Sequence, residues 1–167
     1  LESGIIEVMS GPTMASSDII RLKIIGKGGH AAQPHTTIDP IVIASEIVGA
    51  LQKLVSRQTD PFESVVISIC SFHAGDVFNV IPHSAYLEGA VRTLNNELRQ
   101  ELPHKIEKII RGIIEPYGAT YELDYYLGYP VTVNDPGVTE TVRRAAISVL
   151  GGDKVRVAAR ASMGGED

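Results

Sequence analysis

Cysteine is nearly absent: Cys70 is the only one in 167 residues. No internal disulfide framework can form, so the fold rests on its apolar core. A cytoplasmic home is the simple expectation from that usage. No apolar run approaches the roughly 18 residues that would suggest a membrane span, and no secretory leader is recognisable. There is no basic patch, and the formal charge is −5. Neither nucleic acid nor a membrane is therefore expected as a partner. Ser10, Ser16, Ser17 and Ser162 lack a glycine-x-serine-x-glycine setting, which leaves a serine hydrolase unsupported. No solenoid-length repeat and no low-complexity tract occurs. The chain begins at Leu1 without a methionine and stops at Asp167 just after a glycine pair, so a piece of a longer protein is expected.

What is present suits a folded chain. Hydrophobic residues make up 44% and charged residues 21%, values at which a core can form and disorder is not expected. Residues 18–25 read as a strand, with Ile20, Leu22 and Ile24 on one face. Asp39-Pro40 is a helix start, an aspartate cap followed by proline at the first helical position. The helix of residues 40–56 carries a stripe of Ile41, Ala44, Ile47, Val48, Leu51 and Val55. A second strip, Ile43, Ala50 and Leu54, is surplus to one sheet and predicts a further contact.

Residues 64–71 form a second strand, on which Cys70 is expected to pack. Residues 85–94 form a third, with Ala85, Leu87 and Val91 facing one way and Tyr86, Glu88 and Arg92 the other. Residues 73–82 between them read as a loop. Asn95 or Asn96 caps a second helix, in which Pro103 predicts a kink or a later start, and Gly118 ends it. Residues 119–127 make a fourth strand. The order strand, helix, strand, strand, helix, strand is α+β. It folds as a four-stranded antiparallel sheet with both helices on one face, a ferredoxin-like βαββαβ unit with its second and fourth strands at the edges. Asp135-Pro136 starts a third helix to about Leu150, and residues 155–158 read as a short strand. This tail belongs to another layer than the sheet.

The segment Gly26-Lys27-Gly28-Gly29-His30-Ala31 matches a loose dinucleotide fingerprint. The match is weak, because the next helix starts about ten residues too late to aim its free amides at a pyrophosphate. His30 is either a loop histidine bonding local backbone or a donor that stabilises an oxyanion. Asn79 before Val80-Ile81-Pro82 is either a turn asparagine or a ligand contact. Arg92 is either a solvated arginine on an open sheet face or a two-pronged clamp for a carboxylate. His73, His83 and His104 have no partner spacing and read as surface residues.

Taken in order, Gly26 through His35, Asp39-Pro40-Ile41, Asn79-Val80-Ile81-Pro82, Gly89-Ala90-Val91-Arg92-Thr93 and Met163-Gly164-Gly165-Glu166-Asp167 resemble the M20 metallopeptidase family. The opening Ser10 to Ser16 also resembles the way into that family's lid domain. The branch it resembles holds aminoacylases, hippurate hydrolases and auxin-conjugate amidohydrolases.

The resemblance implies a metal-dependent amidohydrolase that cleaves N-acyl amino acids or related small amides. It implies a catalytic domain with two divalent metal ions, usually zinc, and a lid that dimerises; the flat, apolar edge strand 64–71 and helix 40–56 with its surplus strip are the expected seam of that homodimer. By that resemblance His30 is catalytic, reaching the partner's site to stabilise the oxyanion. Asn79 contacts substrate and Arg92 binds its carboxylate. The division it implies is 1–17, the end of a catalytic-domain segment or linker; 18–129, the lid; and 130–167, a partial return into an α/β catalytic domain, with the family's metal ligands in stretches outside this chain. The expectation is therefore no metal ligand here, no metal bound to this piece, and no activity from it alone. A non-catalytic ferredoxin-like module that oligomerises or binds small ligands is the alternative, since fold by itself does not separate the two.

Overall fold

The computed structural model describes residues 3–166. Leu1 and Glu2, and Asp167 at the end of the Met163–Asp167 motif, lie outside the described residues. The elements in chain order are β1 (Ile6–Val8), β2 (Gly11–Met14), β3 (Ser17–Ile25), β4 (Gly29–His30), α1 (Pro40–Gln58), β5 (Val65–Ala74), β6 (Val80–Ile81), β7 (Ser84–Thr93), α2 (Asn96–Tyr117), β8 (Thr120–Tyr129), β9 (Thr132–Asn134), α3 (Pro136–Leu150) and β10 (Val155–Val157).

Four strands pair in the order β5-β7-β3-β8, all antiparallel, so the second and fourth long strands are the edges. One face alternates inward. Ile20, Leu22, Ile24, Val65, Ile67, Ala85, Leu87 and Val91 are buried beneath both helices. The two helices supply Ile43, Ile47, Leu51 and Leu54 from α1 and Leu102, Ile106, Ile110 and Ile114 from α2. Each such side chain contributes about 1.5–3 kcal/mol on burial, which is how a chain without disulfides holds this sheet. The outer face is polar: Arg21 pairs with Glu88 at 2.9 Å and Lys23 with Glu122 at 3.2 Å across the strands.

Both helix starts follow from their caps. The Asp39 carboxylate accepts the Ile41 N–H at 2.9 Å. The Asn95 side chain accepts the N–H groups of Glu97 and Leu98 at 2.8 and 3.1 Å. With that cap in place α2 starts at Asn96 and runs through Pro103; the later start does not occur. Leu102 and Ile106, on either side of Pro103, are both buried, and their burial offsets the backbone bond that Pro103 cannot donate.

Four expectations need correction. The stretch 73–82 is not all loop: His73 and Ala74 continue β5, and Val80–Ile81 is a strand that pairs antiparallel with Gly29–His30. Cys70 does not pack. It is exposed at a bulge between Ile69 and Ser71, where one residue is left without a partner in β7. The edge strand is therefore bent, not flat. The strip Ile43, Ala50 and Leu54 is not surplus either, since Ile43 and Leu54 are fully buried in this chain's own core. A helix crossing a twisted sheet beside a second helix buries more than one stripe.

The remaining elements form small sheets beside the main one. β1 pairs parallel with β10, and β2 pairs antiparallel with β9. Helix α3 lies against β1 and β10 and buries only Ala146, leaving Val138, Val142 and Val149 exposed.

Candidate functional site

The glycine run is explained by close backbone approach. A Cβ on Gly26 would lie 2.1 Å from the Ile38 carbonyl oxygen, and one on Gly28 would lie 2.7 Å from that of Ile81. Only glycine lets these strands meet, so the run shapes β4 and its neighbours rather than cradling a phosphate.

His30 sits on β4 opposite Val80 of β6. Its Nδ1 accepts the Ala32 N–H at 3.1 Å. With Nδ1 engaged as an acceptor, Nε2 is the ring nitrogen left to donate, in an exposed side chain. The two sequence readings of His30 are therefore compatible: the local backbone bond orients the ring and leaves Nε2–H as a donor. Asn79 is held beside it, because its backbone carbonyl accepts the Ala31 N–H at 3.0 Å. Its side chain is exposed. The ladder of β4 with β6 thus brings together two of the three candidates, 49 residues apart in the chain.

Arg92 is elsewhere. It lies near the far end of β7, eight residues beyond Ser84, which is roughly 27 Å along an antiparallel strand. It is half-buried, and its Nη1 donates to the Met163 carbonyl at 3.3 Å. It is not a freely solvated arginine. It docks the Met163–Glu166 segment, which also approaches through the Ala15 N–H, 3.0 Å from both the Ser162 and Gly164 carbonyl oxygens.

Beneath Arg92 lies a buried network that no local pattern signalled. The Asp18 carboxylate, 1% exposed, accepts from Arg99 Nη2 at 2.7 Å and Nε at 3.0 Å. It also accepts the Gly128 N–H at 3.0 Å and the Tyr125 hydroxyl at 3.4 Å. Arg99 Nη2 donates in turn to the Gly128 carbonyl at 2.8 Å. The hydrogen bond to Asp18 holds Arg99 above its usual pKa. Burial, then the facing Asp18 carboxylate, push the Tyr125 hydroxyl well above the tyrosine range. Asp18 and Arg99 are 81 residues apart, and only the tertiary fold pairs them.

Among the described residues, no group of three or more histidine, cysteine, aspartate or glutamate side chains is placed to hold a metal ion. His73, His83 and His104 are exposed. Among the same residues no helix is long and apolar enough to cross a membrane.

The family model for the peptidase dimerisation domain matches residues 17–118. An N-acyl-L-amino acid amidohydrolase of Geobacillus stearothermophilus is 45% identical over 134 residues, covering 80% of this chain and 36% of that protein. Hippurate hydrolase of Campylobacter jejuni is 38% identical over 157 residues, covering 94% of this chain and 41% of that one. Among solved structures, the Bacillus subtilis YxeP protein, described as a dinuclear metal binding peptidase of the M20 family, superposes with a TM-score of 0.76. It is 34% identical, over 99% of this chain and 40% of that one. The chain thus spans about two fifths of the length of these relatives. This chain belongs to the M20 peptidase family and carries that family's dimerisation domain.

Proposed function

We propose that this chain is the lid, with part of the catalytic domain, of a metal-dependent amidohydrolase that hydrolyses the amide bond of N-acyl amino acids, and that it works as a homodimer. The observation that carries this reading is the separation of the candidates. His30 and Asn79 share the end of the sheet where β7 begins, and Arg92 lies at the other, roughly 27 Å along β7 from Ser84. A small N-acyl amino acid cannot touch both ends in one chain. In a two-fold dimer, the His30–Asn79 end of one copy reaches the Arg92 end of its partner.

In this reading 18–129 is the lid, and 1–17 and 130–167 belong to the catalytic domain. Arg92 binds the substrate carboxylate from the chain whose tail it docks. Asn79 and His30 come from the second copy. As the amide carbonyl turns tetrahedral, negative charge gathers on its oxygen, and His30 Nε2–H donates to it. The described residues do not fit a metal pair. The divalent ions, zinc by family resemblance, are assigned to catalytic-domain segments outside this chain.

The proposed dimer seam is the β5 edge, where an unpaired strand invites another. Gln52 Nε2 donates to the Ile67 carbonyl of that strand at 3.1 Å, so this side of α1 overhangs the edge. Helical spacing places Ser45, Gly49 and Ser56 on the same side, all exposed and small enough for two helices to approach. The Ile43, Ala50 and Leu54 strip has no part in this seam.

The direct test is a panel of N-acetyl, N-benzoyl and other N-acyl amino acids offered to the full-length enzyme, with and without a chelator. Hydrolysis that the chelator abolishes is expected. Activity on none of the panel would reject the reading.

A further inference from the structure

The segment that carries Asn79 also carries two exposed apolar side chains. Phe78 is 100% exposed and Val77 is 57% exposed. Phe78 precedes Asn79, so its Cα lies about 3.8 Å from that of a residue pinned to Ala31. With Ile41 at the start of α1, Val80 and Ala31, these residues line a cavity of about 380 Å³. The one charged residue on its wall is Asp76.

We infer that this cavity takes the acyl group of the amide substrate, with Phe78 and Val77 as the specificity-determining wall. The inference rests on the amidohydrolase reading above. Charge decides which end of the substrate belongs here. Asp76 repels a carboxylate, and the cation for the carboxylate is Arg92, in the other half of the composite site. The uncharged end of an N-acyl amino acid is left, on the far side of the carbonyl from the carboxylate. His30 Nε2–H marks that carbonyl, and Ala31 is both its neighbour and part of the cavity wall. An aromatic or long aliphatic acyl group covers Phe78 and removes its surface from water. An acetyl group leaves it wet.

The test uses the full-length enzyme and N-acetyl, N-hexanoyl and N-benzoyl derivatives of one amino acid. Wild type is expected to favour hexanoyl or benzoyl over acetyl in kcat/KM. Phe78→Ala is expected to cost roughly ten- to a hundred-fold on the larger acyl groups, the range for an apolar pocket contact, and under about three-fold on acetyl. Phe78→Leu should fall between on hexanoyl. Because Phe78 touches no core, these variants should keep wild-type melting temperatures. An equal loss on all three substrates, with weaker dimers, would overturn the inference and make Phe78 an anchor on the partner's surface. Unchanged rates, or a wild-type preference for acetyl, would overturn it too. A wild type inactive on every N-acyl amino acid would instead remove the amidohydrolase reading on which the inference stands.

Discussion

Arg99 and Asp18 meet at 2.7 Å inside the protein, 6% and 1% exposed, and their network ties the start of β3 to the end of β8. Those are the two places where the chain enters and leaves the four-stranded sheet. Ser16 adds to the knot: its N–H donates to the Thr93 carbonyl at 2.9 Å, and its hydroxyl accepts the Thr93 N–H at 3.3 Å. The base of the sheet domain is thus built from a charge pair taken out of water, where losing one partner costs more than losing both.

Arg99→Met is expected to destabilise the chain by about 3–5 kcal/mol, because it strands the buried carboxylate. The double variant Asp18→Asn with Arg99→Met should lose less. It removes both charges and keeps an acceptor for the Gly128 N–H. Urea unfolding of both variants checks this. A double variant as unstable as the sum of its singles would show that the two residues are not coupled.

Assembly through the β5 edge predicts that charge at the seam gives monomers. Ile67 is the wrong place to put it, since Ile67 is 3% exposed and a lysine there would damage the core. Val66 and Ser68 are exposed on the outer face. Val66→Lys with Ser68→Lys should shift sedimentation from dimer to monomer without changing the melting temperature, since like charges facing across paired strands repel. Gly49→Leu should do the same by holding the helices apart. A dimer unchanged by both variants would exclude this seam.

The composite site makes a prediction about mixtures. In the full-length enzyme His30→Ala should lower kcat by about 10²–10³, the size expected for one oxyanion donor. Arg92→Ala should mainly raise KM, because a carboxylate clamp holds ground and transition states alike. At substrate far below the raised KM, where the Arg92→Ala enzyme is nearly silent, equal amounts of these two variants, mixed and allowed to exchange, should recover about a quarter of wild-type activity: half the dimers are mixed, and each has one intact site of two. His30→Ala mixed with Asn79→Ala should recover nothing, because the two residues come from the same chain into the same site. Rescue in that second mixture would separate Asn79 from His30.

Gly26→Ala tests the reading of the glycine run. The added Cβ meets the Ile38 carbonyl oxygen at 2.1 Å, so backbone must shift. A loss of about 1–3 kcal/mol is expected, the usual range for overpacking, with no change in affinity for nucleotides, which should not bind either form. Calorimetry with ADP and NAD checks both halves.

The helices and long strands of the sheet domain could be read from the chain because their causes are local. Asp39-Pro40 and Asn95 cap helices within three residues, and Ile20, Leu22 and Ile24 alternate within five. The motif from Gly26 to His35 and the Asn79, Arg92 and Met163 segments carried the family likeness in the same way, as short runs in a set order. Tertiary structure decided what those runs do to one another. β4 and β6 are two residues each, too short for any periodicity, and exist because Gly29 and His30 find Val80 and Ile81 some 50 residues on. The Asp18–Arg99 pair spans 81 residues, and each member by itself is an ordinary charged side chain. Ile43 and Leu54 read as surplus because a sequence shows which face of a helix is apolar but not how many neighbours will cover it. Their place in the core was settled when α2 packed beside α1 on a twisted sheet. The separation of the β4–β6 end of the sheet from Arg92 is of the same kind: it is set by the run of β7 from Ser84 to Thr93, which no short motif displays.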